Sequence, residues 1–292
     1  MEPQKAPPLP KPSSTVMVIR PLADATPGGF AAHSGFELFM VRRHSKSRFM
    51  PDRYVFPGGR LEEADSGPQA LALLRGFEPT REAPLFRDMP YKGAWQAEVP
   101  LTRPQQAGLY TAAFRELFEE SGVLLAVDKA GNPPDLTADQ GLAERLAQYR
   151  LEMQADQLNF FEMLKREKLW LDYPNLVYFS HWITPVSEPY RFDARFFLAG
   201  VPLDQAAESD HLETSDGLWL TPQTALARYN AGDFNIAYPT LLHLEWLAKQ
   251  PSVEAALDAA RRKTVVAAMP DQLPDDENGP VFQLPPDVIN NW

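Results

Sequence analysis

One stretch constrains this chain more than any other: Arg115-Glu116-Leu117-Phe118-Glu119-Glu120-Ser121-Gly122-Val123. Leu109–Ser121 reads as a strong helix, and Gly122 stands where a helix stop is expected. At about 100° per residue, Glu116, Glu119 and Glu120 fall at roughly 0°, 300° and 40°, inside one sector of ~100°. Phe114, Leu117 and Phe118 lie on the other side and can be buried. The fold must therefore pack one face of this helix while keeping three carboxylates together on another. Like charges so placed repel one another. A hard divalent cation resolves the repulsion, because Mg²⁺, Mn²⁺ and Ca²⁺ prefer oxygen ligands. The helix is nearly over at Glu120, so its dipole does not help these anions. The plainer alternative is a solvated acidic face with Arg115 as a local ion-pair partner.

An upstream segment weighs against that alternative. Phe56-Pro57-Gly58-Gly59-Arg60-Leu61 reads as a tight turn, and the acids Glu62, Glu63 and Asp65 follow it. Its glycines allow positive φ and a close backbone approach to a ligand or metal. Around these two pieces, Thr15–Arg20 and Glu37–Arg42 read as a strand pair joined by a loop containing Gly28, Gly29 and Gly35. Residues 66–108 carry one short helix, Ala70–Arg75, among scattered Pro and Gly. Residues 136–171 look helical. Strands follow at Leu176–Thr184, Ala194–Val201 and Gly217–Leu220, with helices after Pro222 and over Pro239–Lys249. Strands and helices mix without βαβ alternation, which predicts an α+β sandwich rather than a doubly wound parallel sheet.

Bulk properties bound the function. The 292 residues are 44% hydrophobic, enough for a proper core. A formal net charge of −11 argues against nucleic-acid or membrane-surface binding, so an anionic substrate would need local cations or a metal. There is no cysteine, which excludes disulfides, thiolate zinc sites and a cysteine nucleophile. No stretch approaches the ~18 apolar residues of a membrane span, and the N-terminus lacks the apolar run of a signal peptide. The last residues, Ile289-Asn290-Asn291-Trp292, are not a peroxisomal address. A cytoplasmic protein is expected, with residues 1–13 as a disordered arm, 14–250 as the main domain and 251–292 as a helical C-terminal extension.

The two pieces together resemble the Nudix hydrolase box, G-x5-E-x7-R-E-U-x-E-E-x-G-U with U aliphatic. Gly59, Arg115, Glu116, Leu117, Glu119, Glu120, Gly122 and Val123 match it. Two departures stand out. Asp65 occupies the first Glu position, and residues 66–114 replace a seven-residue spacer. A box split in this way is similar to the Nudix 19-like, acyl-CoA diphosphatase branch, in which an insertion falls at this point (here 66–108). FMPDRYVFPGG, AFRELFEESGVLL, HWITP, RFDARFFLAG, Trp219 and TPQTALARY continue the similarity over roughly residues 15–250.

The resemblance implies a Nudix-type α/β/α sandwich with a mixed sheet. It implies Mg²⁺ or Mn²⁺ on Glu116, Glu119 and Glu120, with the Gly58 carbonyl as a further ligand. Arg115 would orient the carboxylates, and Asp65 would take the structural role of the absent Glu beside Gly59 and Gly122. A carboxylate of the cluster, or one from a later loop, would accept the proton of the attacking water. In Glu208–Asp216, Glu213 fits that role best, with an acidic surface loop as the alternative. The branch implies hydrolysis of CoA and acyl-CoA to 3′,5′-ADP and (acyl-)4′-phosphopantetheine. The basic run containing Arg42, Arg43, Lys46 and Arg48 would meet the extra phosphate of CoA, or merely balance Glu62 and Glu63. The same metal machinery would serve ADP-ribose, a dinucleoside polyphosphate or a nucleoside triphosphate, and a silent nucleotide-binding module is the reading of another class. The insertion is a candidate lid over the small-molecule substrate or a homodimer contact.

Overall fold

A computed structural model describes residues 7–22, 35–47, 50–78, 101–203, 205, 207–209, 214–276 and 279–289. The strands are β1 (Lys11–Pro21), β2 (Phe36–Arg43), β3 (Tyr54–Val55), β4 (Gly58–Arg60), β5 (Ala126–Val127), β6 (Trp170–Leu171), β7 (Val177–Ile183), β8 (Phe192–Gly200), β9 (Thr214–Leu220), β10 (Ala267–Ala268), β11 (Asp271–Asp276) and β12 (Gly279–Gln283). The helices are α1 (Pro68–Leu71), α2 (Arg103–Ser121), α3 (Gln140–Gln154), α4 (Phe160–Glu167), α5 (Pro222–Asn230), α6 (Tyr238–Leu247), α7 (Val253–Arg262) and α8 (Pro286–Ile289).

β1 organises the molecule. It runs parallel to β8 from Lys11↔Phe192 to Ile19↔Gly200. Its opposite edge is shared. The first half pairs antiparallel with β4, from Ser13↔Arg60 to Thr15↔Gly58, and the last half with β2, from Ile19↔Leu38 to Pro21↔Phe36. The chain passes from β3, on the flank of β2, to β4, on the flank of β1, and so brings Gly58 and Gly59 into the middle of a mixed eight-stranded sheet.

Strand alternation then separates two cores. Val16 and Val18 join the buried side chains of α2, α3 and α4, whereas Met17 and Ile19 join those of α5, α6 and α7. The result is the α/β/α sandwich with a mixed sheet that the family resemblance implies.

Several boundaries differ from expectation. β1 begins at Lys11, not Thr15, so residues 11–13 of the expected arm belong to the sheet. Their polarity hides this: Ser13 and Ser14 are buried, and the Ser14 hydroxyl donates to the Leu109 carbonyl of α2 at 2.6 Å. Pro57-Gly58-Gly59 is not a positive-φ turn, because Gly58–Arg60 is strand and neither glycine has positive φ. α2 starts at Arg103, set by a capping box in which the Thr102 hydroxyl accepts from Gln105 N and the Gln105 side chain accepts from Thr102 N. The short helix expected at Ala70–Arg75 is Pro68–Leu71.

Residues 136–171 form two helices, capped by Asp139 and Asn159, followed by β6, which pairs with β5. The C-terminal extension is not purely helical, with strands between its first helix, α7, and its last, α8. After α7 the chain adds β10 beside β7 and then pairs β11 with β12. The loop at 23–34 and residues 79–100 of the insertion lie outside the described residues. Among those described, no helix is long and apolar enough to cross a membrane.

Candidate functional site

α2 packs on the sheet through Leu109, Phe114, Leu117 and Phe118, all buried. That packing fixes its rotation and turns Glu116, Glu119 and Glu120 toward β4. Gly122 ends the helix at φ 72°, and its N–H closes the last turn on the Phe118 carbonyl at 2.8 Å.

Arg115 is the hub of the site. Its Nε and Nη2 donate to Asp65 Oδ1 and Oδ2 at 2.8 and 2.9 Å. Its Nη1 donates to Glu116 Oε1 and Glu119 Oε2, both at 2.9 Å. Nη2 also donates to the Arg60 carbonyl at 3.1 Å. All five N–H donors are thereby engaged, which only the planar guanidinium fork can do. Asp65 is fully buried and also accepts from Glu62 N at 2.8 Å. Its one-atom-shorter arm reaches Arg115 bidentately because the segment around it is drawn onto α2: the Thr111 hydroxyl donates to the Asp65 carbonyl at 2.6 Å. Both ends of the insertion thus return to one place. Thr111 was not singled out from sequence; its one signal is that it stands one helical turn before Arg115.

The glycines serve close approach. A Cβ on Gly59 would stand 2.5 Å from Glu116 Cδ and 2.6 Å from Oε2. A Cβ on Gly58 would run into the Ser14 carbonyl oxygen and lie 2.6 Å from Thr15 Cα. The Gly58 N–H leaves the sheet ladder to donate to Glu120 Oε2 at 2.8 Å, which joins β4 to the last turn of α2.

Electrostatics show that one cation does not balance these acids. Burial opposes the charge of Arg115, but hydrogen bonding to Asp65 and the fields of Glu116, Asp65 and Glu119 hold its pKa far above the usual value. Burial pushes Glu116 up to about 7; Arg115 works against that, while Glu119 and Asp65 add to it. Burial also raises Glu119, again against the pull of Arg115. Carboxylates whose ionisation is opposed by desolvation and crowding are a hard, all-oxygen donor set that further positive charge would favour. Among the described residues, no three acidic or histidine side chains converge on a single point. Glu116 and Glu119 turn to Arg115, and Glu120 to the Gly58 N–H. All three carboxylates end flexible side chains within one turn of the same helix, and their oxygens are the donor chemistry that a hard divalent cation takes.

The basic run does not converge. By alternation along β2, Arg43 shares the sheet face of Phe39 and Val41, the face that carries α2. Its guanidinium donates to Ser47 Oγ at 3.2 Å. Arg42 shares the other face: it lies 5.9 Å from the Tyr54 ring centre and pairs with Asp52 at 3.3 Å. Lys46 is exposed in the turn after β2. Arg48 and Glu213 lie outside the described residues, although Glu208 and Ser209, just before the latter, are placed.

Residues 11–247 match the NUDT19 Nudix domain family. Among curated proteins, the chain is 30% identical over 229 residues to the acyl-coenzyme A diphosphatase NUDT19 of Xenopus laevis, a match covering 73% of this chain and 60% of that protein. It is 32% identical over 234 residues to the protein of the same name from Gallus gallus, covering 72% and 60%. The match thus spans about 60% of those relatives' length, less than two thirds. Among solved structures, a Nudix hydrolase from Alicyclobacillus acidocaldarius superposes with a TM-score of 0.58 at 24% identity, covering 85% of this chain and 96% of that one. With its box divided by an insertion and rejoined through Arg115 and Asp65, the chain belongs to the NUDT19 Nudix domain family.

Proposed function

We propose that this chain is a divalent-metal-dependent diphosphatase that hydrolyses coenzyme A and acyl-CoA to 3′,5′-ADP and (acyl-)4′-phosphopantetheine. One observation carries the reading: Arg115 spends all five donors on Asp65, Glu116, Glu119 and Arg60, and so ties a carboxylate-bearing helical turn to the glycine strand across the insertion. The names of the two relatives, acyl-coenzyme A diphosphatases, supply the substrate class.

Glu116, Glu119 and Glu120, with the Gly58 carbonyl, would hold Mg²⁺ or Mn²⁺. When bound, the metal supplies charge neutralisation at the diphosphate oxygens and a water of lowered pKa. The remaining work belongs to the chain. Arg115 orients Glu116 and Glu119. Gly59 leaves the space in which the Glu116 carboxylate moves. Arg43 and Lys46 meet the 3′-phosphate; Arg42, turned to the other sheet face, is the weaker candidate. A carboxylate oxygen of Glu213 takes the proton from water as the new oxygen–phosphorus bond forms, and the bridging oxygen–phosphorus bond breaks toward the departing phosphate. A cytoplasmic setting is part of the proposal and accords with the absence of cysteine.

The test is a hydrolysis panel of CoA, dephospho-CoA, ADP-ribose and nucleoside triphosphates, each with Mg²⁺ or Mn²⁺, with products identified by mass. Release of 3′,5′-ADP from CoA is expected. AMP from ADP-ribose as the dominant product would replace the substrate. Tight binding without turnover on any compound would replace the enzyme with a binding module.

A further inference from the structure

Arg43 is a half-buried cation with no carboxylate partner among the described residues. Its side chain is held there by one neutral group, the Ser47 hydroxyl oxygen, which accepts from Nε and from Nη2, both at 3.2 Å. Its neighbour Arg42, on the other sheet face, pairs with Asp52 instead. The turn itself sets the place of Ser47: Ser47 N donates to the His44 carbonyl at 2.9 Å, and Lys46 N donates to His44 Nδ1 at 3.1 Å. Ser47 thus takes the guanidinium edge formed by Nε and Nη2. The end edge, with one N–H each from Nη1 and Nη2 running parallel, is the pair that meets a phosphate in bidentate fashion. Arg43 stands on the sheet face that carries α2. Val41, two residues earlier on that face, pairs with Val55, and Arg43 N donates to the Arg53 carbonyl at 2.9 Å. Three residues after Val55, the Gly58 N–H meets Glu120. At most ~11 Å of chain separates Val55 from Gly58, so the guanidinium and the carboxylates border one stretch of sheet.

We infer that Ser47 is a positioning residue for substrate selection: by gripping one edge of the Arg43 guanidinium it presents the other edge to a phosphomonoester, and so sets a preference for CoA over dephospho-CoA. The inference rests on the function proposed above and deepens it by locating the discrimination. Lys46 is exposed, and salt screens its charge over ~8 Å, so it attracts any anion without telling one from another. Arg42 already has a carboxylate. Arg43 combines partial burial, no carboxylate partner among the described residues and a preset orientation. A preset planar fork loses less freedom on binding than a free one. The group it suits carries about −1.5 to −2 charges at pH 7 and three strong acceptor oxygens, as a terminal phosphate does. Ser47 acts through Arg43, so its loss falls on affinity for the phosphate-bearing substrate.

The experiment compares wild type, Ser47→Ala and Ser47→Thr in steady-state hydrolysis of CoA and dephospho-CoA with Mn²⁺, and in calorimetric titration with 3′,5′-ADP and 5′-AMP. In wild type, KM for CoA should lie about 10-fold or more below KM for dephospho-CoA, and 3′,5′-ADP should bind about 10-fold or more tighter than 5′-AMP. Ser47→Ala should shrink both ratios by about 5- to 10-fold, through weaker binding of CoA and 3′,5′-ADP, with dephospho-CoA and 5′-AMP shifted by less than about twofold. Ser47→Thr keeps the hydroxyl and should restore both ratios to within about twofold of wild type. Equal losses on the two members of each pair would make Ser47 a structural residue and overturn the inference. So would unchanged ratios in Ser47→Ala, or a threonine variant as impaired as the alanine one. Wild type with no preference for the 3′-phosphate would overturn it without any variant. If wild type hydrolyses no diphosphate, the proposed function fails, and the nucleotide titrations alone decide whether the phosphate seat exists.

Discussion

Gly58 and Gly59 are neighbours in one strand, yet alanine at each should fail for a different reason. At Gly59 the new methyl meets the carboxylate of Glu116, 2.5 Å from Cδ and 2.6 Å from Oε2. Unstrained contact needs about 3.5 Å, so the carboxylate must retreat by about 1 Å. It is the end of a flexible side chain and can do so, at the loss of its 2.9 Å bond from Arg115. Stability should drop by only about 1 kcal/mol, or ~2–4 °C in melting temperature for a domain of this size. The displaced group is a proposed metal ligand, so activity should fall about 100-fold or more, equivalent to roughly 2.7 kcal/mol in the barrier. At Gly58 the methyl meets backbone: the Ser14 carbonyl oxygen and Thr15 Cα at 2.6 Å. Relief requires parting β4 from β1, and the expected loss is about 3 kcal/mol or more. Thermal melts and Mn²⁺-dependent hydrolysis on the two variants separate the cases. A Gly59→Ala protein with wild-type turnover, or one as destabilised as Gly58→Ala, would refute the reasoning.

Other outcomes follow from the same geometry. Arg115→Lys cannot serve four partners from three donors, so stability should drop by about 3–5 kcal/mol and hydrolysis should vanish, read by denaturant titration and activity. Asp65→Asn should cost about 3 kcal/mol while retaining more activity than Arg115→Lys, because Glu116 and Glu119 keep their guanidinium. Burial pushes His243 down to about 3, and its Nε2 meets Ser180 Oγ at 2.7 Å. The unfolded chain takes up that proton first, so this stability is present above pH 6.5 and is lost as pH falls toward 3, by about 2 kcal/mol at pH 5. Urea melts of His243→Gln between pH 7 and 5 should show an acid loss smaller by that amount. Burial raises Glu116 to about 7, so metal must displace a proton there; Mn²⁺ should bind about tenfold more weakly at pH 6 than at pH 8, with proton uptake by buffer showing the release.

What could be read from the sequence was what depends on local pattern. The period of α2, its glycine stop and the strand character of β1 and β2 needed no knowledge of the rest of the chain. What escaped depended on partners far away. Lys11–Ser14 looks like loop because its polar residues find their pairing in β8 and its hydroxyl bond in α2. Gly58–Arg60 looks like a turn because its strand partner lies more than forty residues upstream. Asp139 and Asn159 are ordinary cap residues that, given more weight, would have divided the long helical segment. Arg42 and Arg43 are adjacent, and a period of two alone places them on opposite faces; grouping them as one cluster overlooked it. In the site, helix geometry foretold the shared sector of Glu116, Glu119 and Glu120. The five-fold use of Arg115 rests on tertiary approach across the insertion.

The central claim is that the carboxylates of one helical turn take a divalent cation beside the glycine strand. Anomalous diffraction at the manganese edge, from crystals soaked in Mn²⁺, tests it most directly. The account requires a peak about 2.0–2.3 Å from carboxylate oxygens of Glu116, Glu119 and Glu120, absent in Glu119→Gln. Full-occupancy manganese elsewhere on the molecule, with those three side chains still held by Arg115 and Gly58, would contradict it.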